Sequence, residues 1–249
     1  MAKITDNQNL PVIVWFSGGV TSAVATKIAL REYQNVNIYY IETNAQDDDT
    51  QRFLVDCRKW FKHDICIRMS QVYENPIDVF RKRHYINGVH GAPCTLELKK
   101  KVRYAIEDEI KEWRAQIFGF DIGEKKRAER FKEQYPNTKA VFPLIENNLS
   151  KSDCMAILRQ NNIEIPRMYK LGFKNNNCIG CVKGAKGYWN AIKEHFPDKF
   201  KQMAELEREI GASCIKGCYL DELEYVKSEP IVESCSIFCE IEMFEETTK

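Results

Sequence analysis

The feature that most constrains this chain is a junction near its start. Val12-Ile13-Val14-Trp15-Phe16 is an uninterrupted apolar run of β-branched and aromatic residues. Ser17-Gly18-Gly19-Val20-Thr21-Ser22 follows at once, and then the strongly helical stretch Ala23 to Arg31. A short run with no polar alternation reads as a strand buried on both faces, as parallel sheets require. The alternation continues through strands at 36–41, 65–67, 115–120 and 140–144. Helices are expected at 47–62, 95–113, 125–135 and from Ser150, where Asp153 completes a helix-start pattern. Strand alternating with helix implies a doubly wound parallel α/β sheet. From about Lys170 the texture changes: an Asn-rich loop, Cys178-Ile179-Gly180-Cys181, one long charged helix over 188–210, and a cysteine-bearing tail. The expected division is therefore a nucleotide-binding α/β domain over 1–170 and a small C-terminal extension over 171–249.

Composition narrows the function classes. The chain has 249 residues, 44% hydrophobic and 11% aromatic, with a formal net charge of +1. A charge so near zero offers no bulk attraction to nucleic acid or an anionic membrane, so a polyanion site must be local. Met1 to Pro11 lacks an apolar core, and no apolar run approaches about 18 residues. The expectation is a cytoplasmic protein without a membrane partner. Ten cysteines are then notable. In a reducing compartment, grouped cysteines are more often metal ligands or redox groups than disulfides.

Glycines between a buried strand and a helix let the backbone turn tightly and bring N–H groups against a phosphate. The helix start adds unpaired donors and partial positive charge. Ser17, Thr21 and Ser22 add hydroxyls. The loop lacks the Gly-Lys-Ser/Thr of a Walker loop and the G-x-G-x-x-G of a dinucleotide fold. An ordinary strand–turn–helix junction would use the same residue types.

FSGGVTS after an apolar strand resembles the SGGxxS signature of the PP-loop ATP pyrophosphatase superfamily. Further matches favour its phosphoadenosine phosphosulfate (PAPS) reductase-like, DndC-like branch. Glu42-Thr43-Asn44 with Asp47 to Asp49 resembles that branch's strand-to-helix turn. Gly119-Phe120-Asp121 with Glu124, Arg127 and Arg130 resembles its nucleotide-contacting segment. The stretch from Phe142-Pro143-Leu144 to Tyr169–Phe173 resembles its late motif. The resemblance implies an adenine-nucleotide α-hydrolase fold that binds ATP with Mg2+, or PAPS as substrate. It places Ser17, Gly18, Gly19, Thr21, Ser22, Thr43, Gly119, Arg127 and Arg130 with the nucleotide. Thr21 stands where most ATP-splitting members have Asp. A threonine still donates to phosphate, so binding tolerates the change better than cleavage does.

Cys178 and Cys181 form a C-x-x-C pair in a glycine-containing turn, a spacing that lets two thiolates face one metal group. Cys94 opens a predicted helix, a placement that favours the thiolate. Their positions resemble those that share a 4Fe–4S cluster in the branch, without its usual adjacent Cys-Cys pair. A fourth ligand is expected from Cys235, Cys239, Cys214 or Cys218, with Cys235 preferred, or an iron stays open. A zinc site would use the same residues, and sequence does not separate the two; the resemblance favours the cluster. Cys94 and Cys239 are the candidate catalytic thiols. Cys57, Cys66 and Cys154 read as core or flank residues. The four histidines show no ligand spacing, and His90 stands out only for its nearness to Cys94. The basic clusters at 99–103 and 125–130 read first as solvated helix faces.

Three functions follow. One is ATP-dependent adenylylation and sulfur transfer, which needs a sulfur donor and leaves a nucleic-acid acceptor and oligomeric assembly open. The second is a PAPS or adenosine phosphosulfate reductase served by a thioredoxin-like reductant; the tail's Ser-Cys-Ser-Ile-Phe-Cys departs from the usual Glu-Cys-Gly-Leu-His motif and puts it second. The third is a non-catalytic nucleotide- and metal-binding regulator.

Overall fold

The computed structural model describes residues 8–88 and 91–226. In chain order the first elements are β1 (Val12–Trp15), α1 (Val20–Glu32), β2 (Val36–Glu42), α2 (Asp49–Phe61), β3 (Ile65–Met69) and α3 (Pro76–Arg83). Next, α4 (Pro93–Thr95) runs through a π-helical stretch, Leu96–Lys100, into α5 (Lys101–Ile110). Then come β4 (Ala115–Ile117), α6 (Lys125–Gln134), β5 (Ala140–Val141), α7 (Pro143–Glu146) and α8 (Lys151–Gln160). Finally there are α9 (Arg167–Lys170), α10 (Lys186–His195) and α11 (Pro197–Ile210).

The five strands form one parallel sheet in the order β3-β2-β1-β4-β5. β1 is central. Val12 pairs with Val36 on one side and Ala115 on the other. All four β1 residues are buried, which is why the run carries no polar alternation. The mixed α/β class expected from the sequence is the class observed.

The chain divides into two compact units. The first comprises residues up to Tyr40, Asp48–Arg68 and Ile106–Pro166. Its core includes a ring cluster of Phe118, Phe120, Phe131 and Phe142, with Phe118 and Phe131 centroids 5.0 Å apart. Its one buried polar chain of note runs from Trp15 Nε1 to Gln116 Oε1 (2.8 Å) and from Gln116 Nε2 to Glu107 (2.9 Å). Each donor there finds an acceptor, so the burial costs little.

The second unit comprises Ile41–Asp47, Met69–Ala105 and the described chain from Arg167 onward. Phe80, Ile86, Met168, Phe173, Tyr188 and Trp189 form the centre of its core. Asp47, almost wholly buried, holds Arg167 through two bonds of 3.1 and 2.7 Å. Glu207, also buried, accepts the backbone N–H groups of Cys214 (2.5 Å) and Leu220 (2.6 Å) and so closes the 214–220 loop.

Several local expectations change; the strand expected over 115–120 is only Ala115–Ile117. The helix expected over 188–210 is two helices, because Pro197 lacks an N–H and its ring clashes with a preceding-turn carbonyl. Pro197 instead opens α11. The strand expected over 140–144 is only Ala140–Val141, because Pro143 starts α7. The basic cluster at 99–103 is not a solvated face: Lys100 and Arg103 are buried. The π-helical stretch, with its i→i+5 bonding, shifts the phase of the residues that follow.

Two buried thiols of the first unit make stability depend on pH. Burial pushes up Cys57 strongly, and Cys154, with Asp121 and Asp153 adding to burial, rises from 9.0 to about 12. In the unfolded chain both ionise near 9, while in the fold they stay protonated. The contribution is therefore complete below about pH 9 and is lost as pH rises toward the folded values. The melting temperature is expected to fall between pH 8 and 10.5. Cys154→Ala should flatten that fall in a differential scanning series; an unchanged slope would refute the assignment.

Candidate functional site

The 17–22 loop is built by its glycines. Gly18 has φ of +76°, a left-handed conformation that side chains disfavour. Gly19 is the N-cap of the 13-residue α1. Ser22, buried one turn in, gathers the loop onto its hydroxyl. Its Oγ accepts from Ser17 N–H (3.2 Å), Ser17 Oγ (3.0 Å) and Gly19 N–H (3.3 Å), and it donates to Gly19 C=O (3.0 Å). Thr21 is half-buried and Ser17 exposed. The loop thus presents backbone donors and hydroxyls at the start of a long helix, the arrangement that binds an anion.

Gly119 lies directly beneath it. A Cβ there would sit 2.6 Å from Ser22 Cα and 2.7 Å from Ser22 N. Only glycine lets β4's exit pass that close to the start of α1. In the following segment Asp121 caps a short turn by accepting Gly123 N–H at 2.8 Å. Arg127 donates to Glu124 at 2.6 Å and lies over the Phe120 ring, 4.4 Å from its centroid. Arg130 is exposed. The two arginines therefore differ: one is held in place by an acid and a ring, the other is solvated.

Thr43 sits in the second unit, in a turn closed by its neighbours. Glu42 Oε1 accepts the N–H groups of Thr43 (2.8 Å) and Asn44 (2.9 Å). Gln46 Oε1 accepts the Thr43 hydroxyl at 3.0 Å. The same hydroxyl lies 3.2 Å from Cys178 Sγ. Thr43, expected with the nucleotide, thus touches a thiol.

Cys94, Cys178 and Cys181 line one cavity that opens to solvent. Thr43, Thr95 and Lys99 supply its polar groups, and Pro76, Phe80, Leu98, Ile179 and Val182 its apolar wall. Cys94 is the second residue of α4, as the sequence reading placed it. The Cys178–Cys181 turn is fixed from several sides. Ile179 N–H donates to Ala45 C=O at 2.7 Å, and Gly184 N–H donates to Cys181 C=O at 2.9 Å. Tyr188 Oη accepts Cys181 N–H (2.9 Å) and donates to Cys178 C=O (3.0 Å). Burial, reinforced by the Cys181 charge, pushes the Tyr188 phenol well above its usual range, so it keeps the proton it donates.

Thiols in an apolar wall are soft donors of the type that iron–sulfur groups take. A zinc ion takes the same donors. Among the described residues, no three His, Cys, Asp or Glu side chains are grouped so as to hold a metal ion. Cys235, Cys239 and His90 lie outside the described residues. Cys214 is buried beside Glu207, and burial with that carboxylate pushes its thiol up strongly. Cys66, read as core or flank, is exposed on the edge strand β3. His84 caps α3 in a left-handed conformation, and His195 meets the Phe173 ring edge-on. Sequence reasoning missed Tyr188 and Gly184 as parts of the site. The only local signal was their closeness to the C-x-x-C pair.

No protein-family model matches the chain. It is 21% identical over 218 residues to an uncharacterized protein of Methanocaldococcus jannaschii, covering 84% of this chain and 50% of that one. The chain therefore spans about half the length of the curated relative it matches. Among solved structures it is similar to a phosphoadenylyl-sulfate (PAPS) reductase from Candida auris in a phosphate complex. That match has a TM-score of 0.48 and 14% identity, over 67% of this chain and 80% of that one. It is also similar to the U34-tRNA thiolase NcsA from Methanococcus maripaludis with its [4Fe-4S] cluster. Here the TM-score is 0.44 and identity 15%, over 94% of this chain and 86% of that one. Among the described residues, no helix is long and apolar enough to cross a membrane.

Proposed function

We propose that the chain is an adenine-nucleotide-binding enzyme of sulfur metabolism, which activates a substrate by adenylylation and then transfers sulfur to it. The observation that carries this reading is that Cys94, Cys178 and Cys181 line one apolar cavity together with Lys99. Structural cysteines bury singly; three thiols around shared open space have chemistry to perform. Lys99 adds a cation where thiolate or sulfide charge collects.

At the 17–22 loop, the donors now gathered on Ser22 Oγ suit a phosphate oxygen equally well. In the proposed reaction a substrate oxygen attacks the α-phosphorus of ATP, and the bond to the β-phosphate oxygen breaks. Pyrophosphate leaves with its charge stabilised by loop N–H groups and the α1 terminus. Sulfur then attacks the activated carbon, and AMP leaves with the original oxygen. A 4Fe–4S cluster held by Cys94, Cys178 and Cys181 would supply a site for exogenous sulfide or for electrons. Thr43 orients Cys178 by hydrogen bonding, and the apolar wall limits water around the sulfurs.

The test is turnover by the intact, anaerobically purified chain. Adenylylation predicts Mg2+-dependent exchange of labelled pyrophosphate into ATP once an acceptor is present, with bulk tRNA and DNA as the acceptors to try. Sulfite release from PAPS with a thiol reductant would replace this reading with the reductase. Tight ATP binding with neither turnover would leave the regulatory module.

A further inference from the structure

Tyr188 is the third residue of α10, and its ring is wholly buried, packed edge-on against Phe173 and Trp189. A ring at that position needs no hydroxyl to fill the core. The hydroxyl instead reaches both ends of Cys178-Ile179-Gly180-Cys181, accepting from Cys181 N–H and donating to Cys178 C=O. These are the two groups a four-residue turn ordinarily brings together. Gly180, at φ +75°, lies over the Trp189 ring, so the middle of the turn is shaped by the same core. Gly184 leaves the space Tyr188 occupies: a Cβ there would meet the ring at 2.0 Å. Neither cysteine is in a disulfide, and both line the cavity.

We propose that Tyr188 is the positioning residue of the thiol pair. Its bridging hydroxyl holds the C-x-x-C turn open, so that the two sulfurs face the cavity side by side instead of closing on each other as a disulfide. The idea rests on the proposed sulfur chemistry for its purpose, but its geometry does not require a bound cluster. Closing the pair requires two electrons and two protons to leave the thiols and the sulfurs to approach to about 2.05 Å. A turn pinned at both ends resists that approach. Removing only the hydroxyl frees Cys178 C=O and Cys181 N–H to pair directly and lets the turn tighten.

The experiment uses the full chain, stripped of metal and equilibrated in dithiothreitol redox buffers, with dithiothreitol disulfide as oxidant. The Cys178–Cys181 disulfide is quantified by alkylation and mass spectrometry. Tyr188→Phe, which keeps the ring, should favour the disulfide about tenfold, a midpoint potential about 30 mV more negative. Gly184→Ala, which displaces the ring, should move it in the same direction. Leu206→Ala, on α11, loosens the same core and should leave the potential unchanged. An unchanged or less stable disulfide in Tyr188→Phe overturns the proposal, as does an equal shift in Leu206→Ala. Iron content of the untreated wild type decides the cluster separately, so the two ideas fail independently.

Discussion

Gly119→Ala will weaken ATP binding by about tenfold to a hundredfold, from the 1–3 kcal/mol that an added methyl group typically costs in a packed site. The new Cβ would fall 2.6 Å from Ser22 Cα and 2.7 Å from Ser22 N. Both are backbone atoms, so no flexible side chain can swing aside. The first turn of α1 must move, and Ser22 carries the hydroxyl on which Ser17 and Gly19 converge. Displacing it misaligns every donor the loop offers a phosphate, whereas an ordinary destabilisation would leave the folded fraction binding normally. Isothermal titration with ATP and a thermal melt on the same preparation separate these outcomes. Ile192→Val, buried in the other unit, serves as a destabilised control with unaltered affinity. If Gly119→Ala binds ATP as the wild type does, the 17–22 loop is not the nucleotide site.

The parts of this molecule written in local sequence were legible, and the parts written in long-range contacts were not. β1, its loop and α1 could be read because an unbroken apolar run and a glycine pair each have few structural solutions. The start of α8 was legible for the same reason, with Ser150 and Asp153 capping each other. α3 carried equally plain signals, Asn75 as N-cap and Pro76 at the first helical position, yet its short length hid it. The break at Pro197 was overridden by a strong helical composition on both sides. By contrast, the Thr43–Cys178 contact joins residues 135 apart in sequence, and no period or motif announces it. Gly119 beneath Ser22 is the same kind of fact: its glycine was visible, but the atom it must avoid was not. Tyr188 was hidden in another way. A tyrosine near a C-x-x-C pair reads as core until its hydroxyl is seen to bridge the turn.

Replacing Cys178 or Cys181 by serine should empty the thiol cavity of iron. The anaerobically purified wild type is expected to carry about four irons and four sulfides per chain, with a broad absorbance near roughly 400 nm. Either variant, or Cys94→Ser, should hold less than about one, because a hard, neutral hydroxyl is a poor substitute for a soft thiolate. Cys57→Ser is the discriminating control. Cys57 is buried in the first unit and does not line the cavity, so the variant should lose stability and keep its iron. The Thr43→Val variant refines the result. It keeps all three thiols and removes the hydroxyl 3.2 Å from Cys178 Sγ. Hydrogen bonds to cluster sulfurs tune the potential and not the stoichiometry, so iron should stay near four while the midpoint moves more negative. A colourless wild type, one tightly held zinc, or full iron in both Cys178→Ser and Cys181→Ser would remove the cluster from this cavity. The three thiols would then have to act directly, as nucleophiles or as a redox couple, and the nucleotide loop would remain to be explained on its own terms.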